Sequence, residues 1–361
     1  MRILFYKQFT GMKHDIVLNT VTGKISQATF NDDIFWSSLN FNDLFSHLNS
    51  TNIFSIEEKY QPLLEKLDMG GSEVEWKHLI GNERLKEEIK AQFDKIKEIS
   101  LMFNKYYEEL LPKRIRLFKR LKSFIFDGSK KERLSYAHHK TVTGRTVISS
   151  GMNLMTMKKE ARSLLQSKHS GGSIIELDIK SLEPRLYLKL IKCVDVEDAY
   201  SFILEGVLEK SIESIPRKKI KLAFISLLYG AGEKKIKTMT GLNLEDIRKI
   251  KKYLNVAELK QKILDEFDKN GWFENAYGRK IFSVNAPINY YIQSTAADFA
   301  CLLYEEFFSN LNTDGVDLIG VIHDAIILDV HPSAKELIMS VKSIHEPILN
   351  TTAYLNIEVH S

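Results

Sequence analysis

The chain has 361 residues, 44% of them apolar and 27% charged, with a net charge of +4 and two cysteines. These values describe one large or a few ordinary globular domains and exclude a disordered, fibrous or disulfide-stapled chain. No apolar run is long enough to span a membrane and the N-terminus lacks a cleavable apolar leader, so the expected setting is cytoplasmic, with Cys193 and Cys301 as free thiols.

Residues 1–72 hold six Lys and Arg against eight Asp and Glu, which leaves 45 against 39 for the remainder. Within them, DIVLNTVTGKISQATF predicts a β-hairpin turning at Thr22–Gly23, followed by amphipathic helical pieces and a break at Gly70–Gly71. Leu85, Ile89, Phe93, Ile96, Met102, Tyr106 and Leu110 recur at helical spacing and predict a long helix stopped by Pro112. Next, KRIRLFKRLK (Lys113–Lys122) carries six basic residues and no acid. It predicts a second helix through Phe124, closing at Asp127–Gly128 and forming an antiparallel helical hairpin with the first. From Ser173, SIIELDI predicts a buried strand, RKKIKLAFISLLYG a helix ending at a glycine, and TAADFACLLYEEFFSNL another helix. VIHDAIILDV (Val321–Val330) predicts a buried strand interrupted by His323 and Asp324. The basic runs at 113–122, 217–221, 233–237 and 248–252 suit a polyanion, and suit solvated helix faces equally well.

Asp178 ends one apolar strand and Asp324 interrupts another. Burying an unpaired carboxylate costs several kcal/mol, so each needs a partner or a cation. Two strand-borne aspartates converging on one face of a sheet are what two divalent cations require to activate one oxygen and stabilise another. Taken singly, each could instead end its strand at a turn.

Six segments in one order resemble the family A DNA polymerases. DIKSLEPRLY resembles motif A (D-Y-S-Q-I-E-L-R), RKKIKLAFISLLYG motif B (R-x-x-x-K-x-x-x-[FY]-x-x-x-Y-G) and IHDA motif C (V-H-D-E). NAYGRKI and NYYIQSTAAD resemble the G-R-R and N-x-x-x-Q-G-T-A-A-D segments, and TVTGR with MNLMTM resembles T-x-T-G-R and N-L-Q-N-I-P. The match runs from about Thr141 to Val330.

The resemblance implies an α/β (α+β) right-hand fold: a small region at 1–72, a helical thumb at 73–140, palm at 141–200, fingers at 201–275 and palm again at 276–361. It implies a DNA-directed DNA polymerase in which Asp178, Asp324 and the carbonyl of Ile179 hold two Mg²⁺, with Mn²⁺ able to substitute. Arg217, Lys221, Glu183, Tyr229, Ile225, Ser181 and Tyr200 are the expected dNTP contacts. Glu183 packs on Tyr229 to exclude a ribose 2′-hydroxyl, and Tyr200 replaces the histidine of D-I-H-T. Arg145, Asn289, Gln293 and His323 are expected at the primer terminus, and Arg116 and Arg120 on phosphates. The expected partners are a DNA primer–template, dNTPs and an accessory processivity or replication protein. The protein itself is expected to be monomeric and of bacterial, phage or plasmid origin.

Four departures stand out. Ile225 replaces the motif B ring, and Phe224 cannot serve for it without a rotation of roughly 100° about the helix axis. Ser181 replaces a glutamine, Ser294 a glycine and Ala325 the motif C glutamate. Only about 140 residues precede T-G-R, too few for a thumb plus a proofreading exonuclease. VLNTVTG echoes the exonuclease strand L-D-T-E-T-T-G with Asn19 and Val21 in place of both carboxylates, so no proofreading is expected. Two other classes fit in part: a nucleic-acid-binding protein with an inactive palm, and a single-subunit RNA polymerase, whose motif A lacks the S-x-E-x-R core holding Glu183.

Overall fold

The computed structural model describes residues 104–360 apart from 129, 138–139, 212 and 311–313, and before them the strands at 2–5, 16–19, 24–27 and 74–75. The chain divides into two compact units, Met1–Pro112 and Lys113–Ser361. The expected boundary at residue 140 therefore falls inside the second unit.

In the first unit the four strands form one antiparallel sheet in chain order. The expected hairpin is present, with Asn19 opposite Lys24 and Ile16 opposite Gln27. The helical pieces expected before Gly70, the Gly70–Gly71 break and most of the helix expected over 83–110 lie outside the described residues. The described end of that helix is a π-helical turn, Tyr106–Leu110, which runs into α1, Leu111–Lys119.

Pro112 therefore does not stop a helix. It is the second residue of α1, directly after the π-helical turn, so one helical form hands over to another at the residue that has no N–H to donate. The basic helix also ends earlier than its charge pattern suggested. Phe124–Phe126 is a strand paired with Lys130–Glu132 and Leu165–Gln166, as its aromatic and β-branched residues favour.

The second unit is built on a five-stranded antiparallel sheet. Its strands are β1 (Ser173–Ile179), β2 (Val316–Ile322), β3 (Ala325–Val330), β4 (Ser343–Glu346) and β5 (Thr351–Val359). Their order across the sheet is β2-β3-β1-β5-β4. Ile174, Ile175, Leu177 and Ile179 are all buried, so both faces of β1 are covered; this is why the strand reads as an apolar run without alternation. On one face Phe124, Leu134, Leu154 and Leu165 pack with Ile174, Ile319, Ile322 and Ile327.

Downstream of β1 comes α2, Leu182–Lys192. Helices α3 (Arg217–Leu228), α4 (Glu233–Thr240), α5 (Leu244–Leu254) and α6 (Val256–Asn270) then gather around Ile220, Phe224, Ile236, Ile247 and Ile250. The Asn243 side chain caps α5 by accepting from the Asp246 N–H, and Gly241 and Gly271 end α4 and α6 in the left-handed conformation. The 24-residue helix α7, Pro287–Asn310, packs on α2 and α6 and is apolar for most of its circumference because it is buried nearly all round.

VIHDAIILDV is not one interrupted strand but a hairpin. β2 ends at Ile322, β3 starts at Ala325 opposite it, and His323 and Asp324 alone make the turn. His323 has φ 53°, the positive angle that a type II′ turn requires at its first position and that normally selects glycine. A histidine held there carries backbone strain, a frequent mark of a functional site.

A buried ion-pair hub fixes the surrounding segments. Asp298 of α7 accepts from Arg279 at 2.8 and 2.7 Å, from Asn275 at 2.8 Å and from Arg114 of α1. Arg114 also donates to the Gly144 carbonyl. Gly144 has φ +68°, and a Cβ there would lie 2.6 Å from the Arg279 guanidinium carbon, so the hub accounts for the glycine of T-G-R.

Candidate active site

The end of β1 and the tip of the β2–β3 hairpin meet. Asp178 lies opposite Ala325 in the ladder, one residue from Asp324, and the Ile179 N–H donates to the Asp324 carbonyl at 3.2 Å. The Asn356 amide of β5 donates to Asp178 Oδ2 at 3.2 Å. Burial first, and the Asp178 carboxylate second, push the Asp324 carboxyl up to about 6. Two mutually repelling carboxylates on adjoining strand ends form a hard-oxygen donor set that suits Mg²⁺, and a cation between them removes the repulsion. Among the described residues no cluster of three or more His, Cys, Asp or Glu could hold a metal, so no third carboxylate joins this pair as a ligand. Ala325, 3% exposed, is where the resemblance would place one.

Beside the pair, Ser181 (φ 50°) starts α2, and Glu183 sits in its first turn. Glu183 accepts the Tyr229 hydroxyl proton and pairs with Arg145. Burial and then the Glu183 carboxylate raise the Tyr229 phenol, which therefore stays a donor, and Gln293 is hydrogen-bonded to the same hydroxyl. Arg145, Glu183, Tyr229 and Gln293 thus converge on one point, where the sequence had joined only Glu183 to Tyr229.

Arg217 opens α3 and grips Asp198. Its guanidinium lies 4.6 Å over the Tyr200 ring, with Nη2 3.4 Å from Ser181 Oγ. Burial would raise Asp198, but hydrogen bonds from Arg217, Ser201 and the Tyr200 N–H outweigh it and pull the carboxyl down to about 2. Tyr200 is only 2% exposed, so the direct triphosphate contact expected of it is corrected: its ring carries Arg217 instead. Lys221 is exposed one turn along α3. Ile225 is half-buried, while Phe224 is fully buried and edge-on to Tyr187 and Tyr200 at 6.3 and 6.2 Å. No ring stands where motif B usually has one.

A profile of the family described as DNA polymerase family A matches residues 45–360. The chain belongs to DNA polymerase family A. It is 26% identical over 238 residues to DNA polymerase I of Aquifex aeolicus (strain VF5), covering 58% of this chain and 40% of that protein. It is 29% identical over 96 residues to the DNA polymerase of Mycobacterium phage L5, covering 24% of this chain and 16% of the phage protein. Among solved structures, the POL domain of Pol1 from M. smegmatis, in complex with DNA primer-template and dNTP, aligns with a TM-score of 0.47 at 15% identity. That alignment covers 88% of this chain and 62% of the other. The chain spans less than half the length of these curated relatives.

Arg116 and Arg120, expected on phosphates, both turn to Glu305 of α7, with Arg120 forming a fork at 2.8 and 3.0 Å and Arg116 a contact of 3.3 Å. Their charge is partly neutralised within the protein. Asn289 Oδ1 is enclosed with no hydrogen-bond partner. His323 is exposed at the hairpin tip. Sequence reasoning missed Asp198, Asn356, the Asp298 hub and Tyr304. Of these, Asp198 left a signal two residues before Tyr200 in a segment already matched to D-I-H-T, and Asp298, Asn275 and Arg279 lie in the matched NYYIQSTAAD and NAYGRKI segments.

Proposed function

We propose that the chain is a template-dependent DNA polymerase that adds dNTPs to a primer 3′-hydroxyl, using two Mg²⁺ held by Asp178, Asp324 and the Ile179 carbonyl. The observation that carries this reading is the pairing of Asp178 with Ala325, which puts two carboxylates side by side in a chain of this family. Bound there, two divalent cations would lower the pKa of the primer hydroxyl and neutralise charge on the α-phosphate and the departing pyrophosphate.

The chain's own groups do the positioning. Arg217, oriented by Asp198 and Tyr200, and Lys221, one turn along α3, face the triphosphate. Glu183, fixed from two sides by Tyr229 and Arg145, fills the space of a ribose 2′-hydroxyl. Arg145, Gln293, Asn289 and His323 line the primer terminus, where minor-groove acceptors look alike for all correct pairs. DNA primer–template and dNTPs are the partners, an accessory processivity or replication protein a further one, and the working form is a monomer. No helix among the described residues is long and apolar enough to cross a membrane, in keeping with a cytoplasmic setting in a bacterial or phage-infected cell.

Primer extension tests the reading, with dNTPs or rNTPs on DNA and RNA templates in Mg²⁺ or Mn²⁺. Extension with dNTPs on DNA is expected, and Asp178→Ala and Asp324→Ala are expected to abolish it. A wild-type protein inactive with both metals, or undiminished extension by Asp324→Ala, overturns the reading.

A further inference from the structure

Tyr304 lies on α7, on neither strand that carries an aspartate, and is fully buried. Its hydroxyl reaches two backbone carbonyls on neighbouring elements: Leu177, immediately before Asp178, at 2.8 Å, and Asp324 itself at 3.1 Å. The Asp324 carbonyl also accepts the Ile179 N–H at 3.2 Å. One hydroxyl proton shared between two carbonyls draws both strand ends toward a single point.

This is where the sheet needs such a tie. The β1–β3 ladder ends at Asp178 and Ala325, and Asp324 lies beyond it in a strained turn. Ala300, Leu303 and Phe307, beside Tyr304 on α7, are apolar and offer no side-chain donor. A buried phenol in such surroundings costs free energy unless its hydroxyl is bonded.

We propose that Tyr304 is a positioning residue for the paired carboxylates, its hydroxyl setting the spacing at which Asp178 and Asp324 take up divalent cations. This rests on the polymerase reading above. Tyr304 touches neither substrate nor metal; it acts through the two backbones. Groups that orient metal ligands from behind typically change metal affinity by about 10–100-fold when removed.

The test is Mn²⁺ binding followed by electron paramagnetic resonance, on the full chain with a dideoxy-terminated primer–template and the next dNTP, so that no turnover occurs. Tyr304→Phe is expected to weaken Mn²⁺ binding about tenfold or more, with a matching rise in the Mg²⁺ needed for half-maximal extension by active complexes. Tyr136→Phe is the control. It removes a hydroxyl that bonds both the N–H and the carbonyl of Val321 at 2.9 Å on the same sheet, and it is expected to keep wild-type metal affinity. Unchanged Mn²⁺ binding in Tyr304→Phe, or an equal loss in Tyr136→Phe, overturns the inference. If Asp324→Ala binds Mn²⁺ as wild type does, the assignment of the metal pair fails instead. Should Tyr304→Phe not fold, Tyr304→Met fills similar space without a hydroxyl and carries the same test.

Discussion

Arg217 closes on Asp198 through two parallel hydrogen bonds, Nε to Oδ2 and Nη2 to Oδ1, each 2.7 Å long. The fork fixes the guanidinium plane at the start of α3, and the Tyr200 ring supports it from one side. Asp198→Ala leaves the charge on Arg217 but frees its direction. The KM for dNTPs is expected to rise about tenfold while kcat moves much less, as lost ground-state positioning predicts. Steady-state kinetics with one correct dNTP decides; an unchanged KM would show that the fork does not orient Arg217 for the triphosphate.

Glu305 answers two cations at once, Arg116 of α1 and Arg120 just past its end. In Glu305→Gln both Arg116 and Arg120 lose their carboxylate and become available to phosphates. Primer–template affinity at low salt is expected to increase, with the slope of log K against log salt steeper by about 1. Stability should fall only modestly: Glu305 is buried, but both arginines keep solvent contact and Gln keeps an acceptor for them. Binding titrations at several salt concentrations check this, and an unaltered slope would place these arginines away from the DNA.

Burial alone would raise the Asp298 carboxyl, but Arg279 and Arg114 outweigh it and hold it down at about 2. The unfolded chain has an ordinary aspartate near 3.9. The native state therefore binds this proton more weakly than the unfolded state. The stabilisation is complete above about pH 4 and is lost as the pH falls from there through about 2. Asp298→Asn leaves two guanidinium groups in a buried site and is expected to cost about 3–5 kcal/mol at pH 7. Urea midpoints from pH 7 downwards should show wild type and variant converging below pH 4; a constant gap would exclude a titrating Asp298.

Ala325→Glu inserts a third carboxylate at a buried position opposite Asp178. In EDTA the variant is expected to melt below wild type by the equivalent of about 2 kcal/mol or more, since a like charge is added in a poorly hydrated place. Mg²⁺ is expected to narrow that gap. Thermal melts with and without Mg²⁺ measure both; equal gaps in the two conditions would mean that position 325 does not face the cations.

The strand of Asp178 was legible because a strand covered on both faces must be apolar along its whole length. The hairpin of Asp324 was not, because an apolar run crossing a core and two apolar strands turning at its edge share one pattern. The positive φ of His323 is a property of tertiary fit that residue type does not announce. Pro112 misled for a similar reason: proline usually ends a helix, yet here a π-helical turn passes into an α-helix across it, and periodicity alone does not show such a junction. For Arg116 and Arg120 the sign of the charge was plain, but the partner lies 189 and 185 residues away. Tyr304 read as one more core aromatic, since its hydroxyl meets a backbone group 127 residues distant. The Glu183–Tyr229 contact was foreseen only because the motifs of the family carry both residues.

Asn356, which donates to Asp178, follows it by 178 residues on a strand from the far end of the second unit. During synthesis, the strand of Asp178 is exposed with an open edge until that late segment emerges and pairs with it. Antiparallel closure across such a separation is slow, and an unpaired apolar edge is a template for association with other chains. The Asp178 carboxylate therefore gains its Asn356 neighbour only after a segment 178 residues downstream has been made, when the sheet is nearly whole.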